Sequence, residues 1–425
     1  MKSHCLRLLS GLGLLASLCL SSSTAEGVLV SIKSTGMAAT GISYPQDALA
    51  GAYNPAGAAE IGDRFDLGIT WGHDQGKAHV HGNTVGGILQ NPLVNGHFNA
   101  MRYKNVFSPD FGINKNFCFG CWNMSVGFVA YNRNFQKTSY KDPFVLIGTT
   151  RLGLEYVHET FSPVVAFKFD KHDLGLSVNY MVQRLKVDGL QNFASPAFSS
   201  SPSRVTNKGY NYSHGVGFTV GWRWQATDTI AVGLTYQPET VMSRFNKYKG
   251  FLAQKGKLNI PRKIGAGISM KVLPSVTVAF DIEHIQWKCI RPLHNPLLPN
   301  LFRSELGRRN GAGFGWHDQL YLRVGADYRL NDCWTVRAGY RHANTPVRHS
   351  QTAVNLLSQD TIEDFVTVGA TWTYDCLTEI SGFFAYGFGH QVKGEDSIPT
   401  FLGAGEVNLH EYSKYALGIS LGRKF

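Results

Sequence analysis

The sequence predicts an all-β fold, a transmembrane antiparallel β-barrel of about 14 strands with an N-terminal hatch in its lumen. Three observations support this fold class. Large apolar side chains recur at every second position, long and short connections alternate between these runs, and the chain ends on an aromatic residue directly after the last run. Because lipid offers no water to backbone polar groups, a sheet can satisfy them in a membrane only by closing on itself.

The last run, YALGISLGRKF, shows the alternation most clearly. Tyr415, Leu417, Ile419 and Leu421 share one face, while small or polar residues hold the other. Successive side chains of a strand point to opposite faces, so this segment fits either a lipid-facing strand or a half-buried strand of a soluble sheet. In a barrel this strand would pair with the first one, and Phe425 resembles the C-terminal signal that the barrel assembly machinery reads.

The connections favour the barrel over a soluble sandwich, because they alternate regularly between short and long. Short polar turns are predicted near residues 114–116, 170–173, 227–228, 273–275, 331–332 and 375. Long irregular stretches are predicted near residues 73–101, 136–150, 188–208, 246–258, 290–316, 344–361 and 391–411. Together these connections join about 14 strands, an even number as in bacterial outer-membrane barrels.

The first residues predict export. Lys2 and Arg7 precede an apolar run over residues 8–20, and the small residues Ser23 and Ala25 fit a cleavage site. We therefore expect residues 1–25 to be a signal peptide, residues 26–62 a hatch inside the barrel, and residues 63–425 the barrel itself. No apolar run long enough for a membrane-spanning helix remains after residue 25.

The composition fits an envelope protein. Charged residues make up 17% of the chain, below the roughly 25% of soluble domains. The formal net charge is +11, and an exported basic chain meets phosphate-bearing lipids before it meets nucleic acid. Outer-membrane lipids and lipopolysaccharide are therefore the expected partners, nucleic acid is not, and the expected location is a bacterial outer membrane of the Gram-negative type.

The segment over residues 26–62 does not read as a strand. It is rich in glycine and alanine and is interrupted by Pro45 and Pro55. A disordered periplasmic tail would carry more charge and fewer small apolar residues. Small residues of this kind fit a segment that packs inside the lumen against a glycine-lined wall.

The chain resembles the FadL family of outer-membrane transporters for long-chain fatty acids and, in some relatives, aromatic hydrocarbons. The resemblance rests on "STGMAATG", on "DALAGAYNPAGAAEIGDRFDLG" with its motif Asn54, Pro55 and Ala56, and on the terminal phenylalanine. It implies a hatch, passive capture of a hydrophobic ligand at outer loops, and sideways release through a gap made by a kinked strand. The kink is expected within residues 120–135, with Gly127 as a candidate.

Two long loops carry the predicted ligand-binding residues. Apolar side chains outside the membrane can bury a docking acyl chain, and nearby cations can orient its carboxylate. Binding of lipopolysaccharide phosphates is the alternative role of the cations. The predicted residues are Leu190, Phe193, Phe198, Phe251 and Leu252 beside Arg204, Lys208, Lys247 and Lys249.

Polar residues on the predicted lumen face have two possible roles. They either pair with one another and hold the hatch, or guide an anionic head group, and the sequence leaves both open. These residues are Arg223, Asp281, Glu283, Arg323, Asp327, Arg329, Arg337 and Arg341.

The cysteines map mainly to one end of the predicted barrel. Cys118, Cys121, Cys333 and Cys376 fall in predicted short turns, and Cys289 lies near an outer strand end. We expect disulfides on the periplasmic rim, within the chain or to another envelope protein. The lone C-x-x-C lacks the second pair that a zinc site needs.

No cofactor, metal site or enzyme activity is predicted. His73, His79 and His81 lie in the first predicted long loop, where a metal site is a weaker explanation than ordinary loop histidines. Phosphate-binding loops and a catalytic triad have no suitable context, which disfavours an outer-membrane phospholipase or protease. The rival functions are a general porin and a structural protein of a disulfide-cross-linked envelope.

Overall fold

The computed structural model describes residues 30–85, 94–100, 105–120 and 122–425, so the predicted signal peptide lies outside the described residues. The described strands form one antiparallel sheet. The strands are β1 (Arg64–His81), β2 (Gly96–Asn99), β3 (Asn105–Phe119), β4 (Trp122–Ser139), β5 (Gly153–Phe169), β6 (His172–Asp188), β7 (Asn211–Gln225), β8 (Ile230–Gln237), β9 (Arg262–Leu273), β10 (Val276–Gln286), β11 (Gln319–Arg329), β12 (Trp334–Ala343), β13 (Asp364–Thr373), β14 (Thr378–Val392) and β15 (Glu406–Lys424).

Helical segments are short and lie before the first strand or in the connections. The α-helical turns are α1 (Ile32–Thr35), α2 (Ala253–Gly256), α3 (Arg291–His294) and α4 (Asn300–Arg303). Segments of 3-10 helix are Ala48–Ala52, Pro55–Ala59, Gln191–Phe193, Pro202–Arg204, Asn246–Tyr248, Trp287–Cys289, His349–Gln351, Val354–Leu356 and Thr400–Leu402. Among the described residues, none of the helices has the length and apolar character to span a bilayer.

The sheet closes into a barrel because β15 pairs with β1 along its whole length, from Arg64 opposite Lys424 to His81 opposite Glu406. Both β2 and β3 pair with β1, the first beyond residue 76 and the second up to residue 73, so they are two pieces of one wall strand. The wall therefore has 14 strands, which confirms the predicted fold class.

The alternation of short and long connections is confirmed, but several predicted boundaries are wrong. β1 runs to His81 and β15 begins at Glu406, so the predicted loops 73–101 and 391–411 overlap strands. β3 continues to Phe119, beyond the predicted turn at 114–116. Towards the strand ends polar residues also point outward, so the apolar alternation fades although backbone pairing continues.

The outer surface of the barrel carries the apolar positions that the sequence pattern predicts. Leu417 and Ile419 are 47% and 56% exposed, as lipid-facing side chains of an isolated chain should be. Aromatic rings mark the end with short turns, where Trp222 stacks with Trp224 and Trp334 with Trp372, each pair at 6.3 Å. Such rings occupy both membrane interfaces, and short turns are typical of the periplasmic end of outer-membrane barrels, so we expect this end to face the periplasm.

Residues 30–62 are mostly buried and contact the inner face of the strands. The Asp281 carboxylate on β10 accepts the backbone N–H groups of Gly41 and Ile42 at 2.7 and 3.0 Å. Wall glycines allow this close approach: a Cβ atom at Gly325 of β11 would lie 2.6 Å from the Met37 carbonyl oxygen. The small residues noted in the sequence therefore meet small residues of the wall.

The cysteines form no disulfide among the described residues. Cys118, Cys289, Cys333 and Cys376 are free and exposed, while Cys121 lies outside the described residues, so the expectation of disulfides within the chain stays a prediction. Cys118, Cys333 and Cys376 lie at the short-turn end, as predicted, and Cys289 lies in the long connection after β10. A disulfide to another envelope protein stays a prediction.

This distribution gives a direct test of orientation. We expect a bulky, membrane-impermeant maleimide to label Cys289 on intact cells and to reach Cys118, Cys333 and Cys376 only after lysis, because the long loops face outward. Mass spectrometry of the labelled peptides is the measurement, and Cys289→Ser is the control. Labelling of Cys333 but not Cys289 on intact cells would mean that the barrel is inserted in the opposite direction.

Candidate hydrophobic ligand site

An apolar cavity lies beneath the long loops. Its empty space, including the mouth, is about 1010 Å³, and its lining includes residues from every one of the seven long connections or their flanking strand ends. No charged side chain is among the lining residues that the structure describes. They are Val80, Val94, Phe144, Leu146, Ile147, Leu152, Leu190, Phe193, Phe251, Leu252, Pro292, Leu297, Leu301, Leu306, Ala312, Gly313, Phe314, Ala353, Val354, Leu356, Leu357, Ile398, Pro399, Leu402 and Val407.

A second, smaller cavity of about 550 Å³ shares Leu252 and Phe314 with the first. Its lining is mixed, with aromatic and aliphatic side chains beside Gln136, Asn259 and Ser358. A ligand that leaves the first cavity by this side therefore meets polar groups for the first time.

Hydrogen bonds within and between the long connections stabilise the walls of the two cavities. Trp287 Nε1 donates to Gln319 Oε1 at 2.9 Å, and Trp316 Nε1 donates to Asn355 Oδ1 at 2.7 Å. Burial raises the pKa of the Tyr140 phenol, so its hydroxyl stays protonated and donates to the Leu356 carbonyl oxygen at 2.9 Å. The site is therefore preformed, because its aromatic walls have satisfied polar ends.

Four of the buried cations on the wall act on one another and form a cluster: Arg133 on β4, Lys263 on β9, Arg323 on β11 and Arg341 on β12. Arg133 lies three residues from Gln136, and Lys263 lies two residues after Pro261, and both Gln136 and Pro261 line the second cavity. The cations therefore lie close in sequence to the polar side of that cavity.

This cluster has more positive than negative charge. Glu283 bridges Lys263 and Arg323 at 3.0 and 3.1 Å, and Arg133 donates to Gln237 at 2.7 Å. In the described part of the chain, Arg341 has no carboxylate within ion-pair distance, although the buried Asp360 attracts it from farther away. Arg341 faces Arg323 directly across two paired strands.

Some donors of the cluster are unused among the described residues. Nε and Nη1 of Arg323 and Nε of Arg341 are buried without a hydrogen-bond acceptor. Buried donors of charged groups usually have partners, since leaving them unpaired is costly. An anion that entered between the two arginines would supply acceptors and relieve their repulsion.

The predicted ligand residues divide into two groups in the structure. Leu190, Phe193, Phe251 and Leu252 line the apolar cavity, and Phe198 packs against Phe193 at 5.5 Å between ring centres. The predicted cations do not line it: Arg204, Lys208 and Lys247 are exposed, Lys249 is half-buried, and Lys247 donates to the Tyr210 carbonyl oxygen at 2.9 Å.

The sequence reasoning missed Arg133 and Lys263. Lys263 lies on β9, a strand that was not predicted from apolar alternation. The inward residues of this strand are Lys263, Gly265, Gly267 and Ser269. A polar residue followed by glycines at every second position could have predicted this strand and its inward lysine. Arg323 and Arg341 were on the predicted lumen face, and the structure places them there.

The motif Asn54, Pro55 and Ala56 lies deep in the lumen. Asn54 Nδ2 donates to the carbonyl oxygens of Ile42 and Trp222 at 2.8 and 3.1 Å, while its Oδ1 accepts the Ala56 N–H at 3.1 Å. Asn54 therefore caps the 3-10 helix that Pro55 begins, and it fixes this turn to the wall.

The wall is interrupted between β3 and β4. Their ladder ends at Asp110 opposite Tyr131, and backbone pairing returns where Ser139 N–H donates to the Ala100 carbonyl oxygen at 2.8 Å. Among the described residues, no backbone pair joins 105–109 to 132–138. At about 3.3 Å per residue, residues 132–138 of β4 span about 23 Å.

A β-bulge marks the lower edge of this interruption. Asn132 and Asn134 pair with consecutive residues of β5, so Arg133 is the extra residue. Bulges bend a strand and end its pairing, which explains why β4 leaves β3 here. Gly127 pairs regularly with Asn114 and Val164, so the irregularity lies within the predicted range but not at Gly127.

Comparison with known proteins places the chain among transport barrels. Residues 17–414 match the family described as "Outer membrane protein transport protein (OMPP1/FadL/TodX)". No curated protein sequence matches the chain.

Solved structures share the fold. A FadL homologue of Pseudomonas aeruginosa is 15% identical with a TM-score of 0.67, covering 96% of this chain and 99% of that one. The toluene transporter TodX of P. putida is 16% identical with a TM-score of 0.64, covering 95% and 99%. The toluene transporter TbuX of Ralstonia pickettii is 15% identical with a TM-score of 0.60, covering 95% and 98%. With the family match over nearly the whole chain, the cavity and the interrupted wall belong to a member of the OMPP1/FadL/TodX family of outer-membrane transport proteins.

Proposed function

We propose that this protein is a passive channel for the uptake of amphipathic hydrophobic compounds, most specifically long-chain fatty acids. The observation that carries the proposal is the apolar cavity, followed by a mixed cavity and by buried arginines with unused donors. An acyl chain fits the first environment and a carboxylate the last. The energy available from apolar burial is about 25 cal/mol per Å².

In this proposal residues 26–62 act as a hatch and the ligand leaves sideways. The described part of this segment occupies the lumen and is held by Asp281 and by the contacts of Asn54. The packed segment therefore blocks the path of a ligand from the arginines through the lumen to the short-turn end. The interruption between β3 and β4 offers the exit into the membrane.

Neutral aromatic hydrocarbons are the second candidate substrate. Their support is the lack of charge among the described residues of the cavity lining and the likeness to structures described as toluene or monoaromatic hydrocarbon channels. Gentle purification followed by mass spectrometry of co-purified small molecules would distinguish the two, since an acyl chain or a hydrocarbon would be identified directly. A purified protein that conducts ions as an open pore would instead support a general porin.

Substitution of the buried Arg341 tests the proposed role of the arginines in carboxylate binding. Arg341→Met keeps apolar contact with the Phe365 ring, which lies 4.0 Å from the guanidinium carbon, but removes the charge. We expect palmitate uptake to fall at least about tenfold, because a hydrogen bond between charged groups contributes about 1.5–3 kcal/mol. Toluene uptake should not change.

The matched control is Lys247→Met, which removes an exposed loop cation. It should leave the uptake of both compounds near the parent level. Unchanged palmitate uptake by the Arg341→Met protein would contradict the carboxylate role, and absence of uptake by the parent protein would contradict the channel assignment.

A further inference from the structure

Five basic or titratable side chains crowd the outward face of the barrel near the long-loop end. Lys77, His79 and His81 lie on β1, His97 on β2 and His410 on β15. His79 is directly opposite His97, and Lys77 is directly opposite His410, across paired strands. We call these five residues the histidine patch.

The rings of the patch are in contact. His79 stacks on His97 with ring centres 4.1 Å apart and planes 12° apart, and His81 lies 5.1 Å from His79. Stacked rings turn their faces, not their nitrogen lone pairs, towards each other, which is unsuited to a shared metal ion. Consistently, no group of ligating side chains among the described residues could hold one.

The balance of charge sets the patch apart from other outward histidines near this end of the barrel. His342 pairs with Asp364 at 2.8 Å and His284 lies 3.8 Å from Asp318. Among the residues that the structure describes, one carboxylate lies within ion-pair distance of the patch, that of Glu406, 3.5 Å from His81. The histidine patch therefore gains net positive charge as its imidazoles protonate.

The surroundings of the patch include few other titratable groups. Burial, Lys77 and His390 on β14 lower the pKa of His410 while Glu411 on β15 raises it, and the Tyr412 ring contacts both Lys77 and His410. Burial, His97 and His81 lower the pKa of His79. Two stacked imidazoles repel each other when both are protonated, so an anion beside them would favour protonation and bind more tightly at lower pH.

We propose that the histidine patch binds phosphate groups of outer-leaflet glycolipid, and that this binding strengthens as the pH falls from neutral to mildly acidic. The patch lies on the lipid-facing surface at the level where strands meet the long loops, which is where headgroups of the outer leaflet lie. The short strand β2 carries His97 directly beyond the interrupted wall, so bound lipid would lie beside the proposed exit.

The test uses the full-length protein in zwitterionic detergent, titrated with diphosphoryl lipid A and with its dephosphorylated form. Bound lipid is counted by native mass spectrometry at about pH 7.5 and about pH 5.5, on either side of the ordinary histidine pKa. We expect diphosphoryl lipid A to bind about tenfold more tightly at the lower pH, and the dephosphorylated form to show no such gain.

The triple variant His79→Gln, His97→Gln and His410→Gln should lose this gain. A control variant, His214→Gln with His284→Gln, removes outward histidines elsewhere on the barrel and should keep it. A gain that persists in the triple variant, or that also appears with dephosphorylated lipid, overturns the proposal. Full displacement of lipid A by millimolar inorganic phosphate would assign the patch to free phosphate and overturn the commitment to a lipid.

Discussion

Replacing Ala353 with tryptophan is expected to reduce uptake of both palmitate and toluene at least about tenfold while the barrel still folds. Ala353 is half-buried, lines the apolar cavity and lies between two 3-10 helices of the connection after β12. A tryptophan side chain buries about 150–250 Å² and would project into empty space. It fills the site without removing any existing contact.

The control for this experiment is Ala194→Trp. Ala194 is also half-buried and packs against the same loop core, but it is not among the residues that line the cavity. The added bulk there should leave uptake near the parent level. Uptake by whole cells is the measurement, with heat-dependent electrophoretic mobility as the check on barrel folding. Normal uptake by the folded Ala353→Trp protein would show that ligands do not pass through this cavity.

The barrel could be predicted from sequence because lipid imposes a strict rule on every strand. Side chains that face lipid must be apolar, so Leu417, Ile419 and Leu421 reveal the strand and its outward face together. The same rule does not predict strand residues near the loops, because side chains there do not face the apolar lipid chains. His79 and His81 lie on a paired strand, yet the sequence pattern predicted them in a loop, because their outward positions lie beyond the apolar band.

The apolar part of the candidate site was predicted in the loops, and of its four buried cations only Arg323 and Arg341 were predicted on the lumen face. Phe193 and Phe251 were found because large apolar residues in outer loops are conspicuous, whereas the loop cations turned out to be exposed. Arg323 and Arg341 face each other on the neighbouring strands β11 and β12, whereas Arg133 on β4 is far from them in sequence and approaches Lys263 only in the folded barrel. Arg133 had the weakest signal, since a single extra residue in the polar stretch around it has no periodic signature.

Deletion of Arg133 is expected to have the second large effect on uptake. The deletion should remove the bulge and let β4 pair with β5 residue by residue, because Asn132 and Asn134 already pair with consecutive residues. The faces of the flanking residues are then kept, unlike in an ordinary one-residue slip. A straight β4 could continue its ladder with β3, so we expect the exit to narrow and uptake of both palmitate and toluene to fall at least about tenfold.

Arg133→Ala is the matched variant, because it keeps the extra residue and removes only the guanidinium, whose Nη1 donates to Gln237. Its toluene uptake should remain near the parent level, so the pair separates the shape of the wall from the charge at residue 133. Binding of a fluorescent fatty acid to the detergent-solubilised deletion protein should be retained, because the apolar cavity lies in the outer loops. If the deletion protein binds the probe and still takes up toluene normally, the interruption between β3 and β4 is not the route by which ligands leave the barrel.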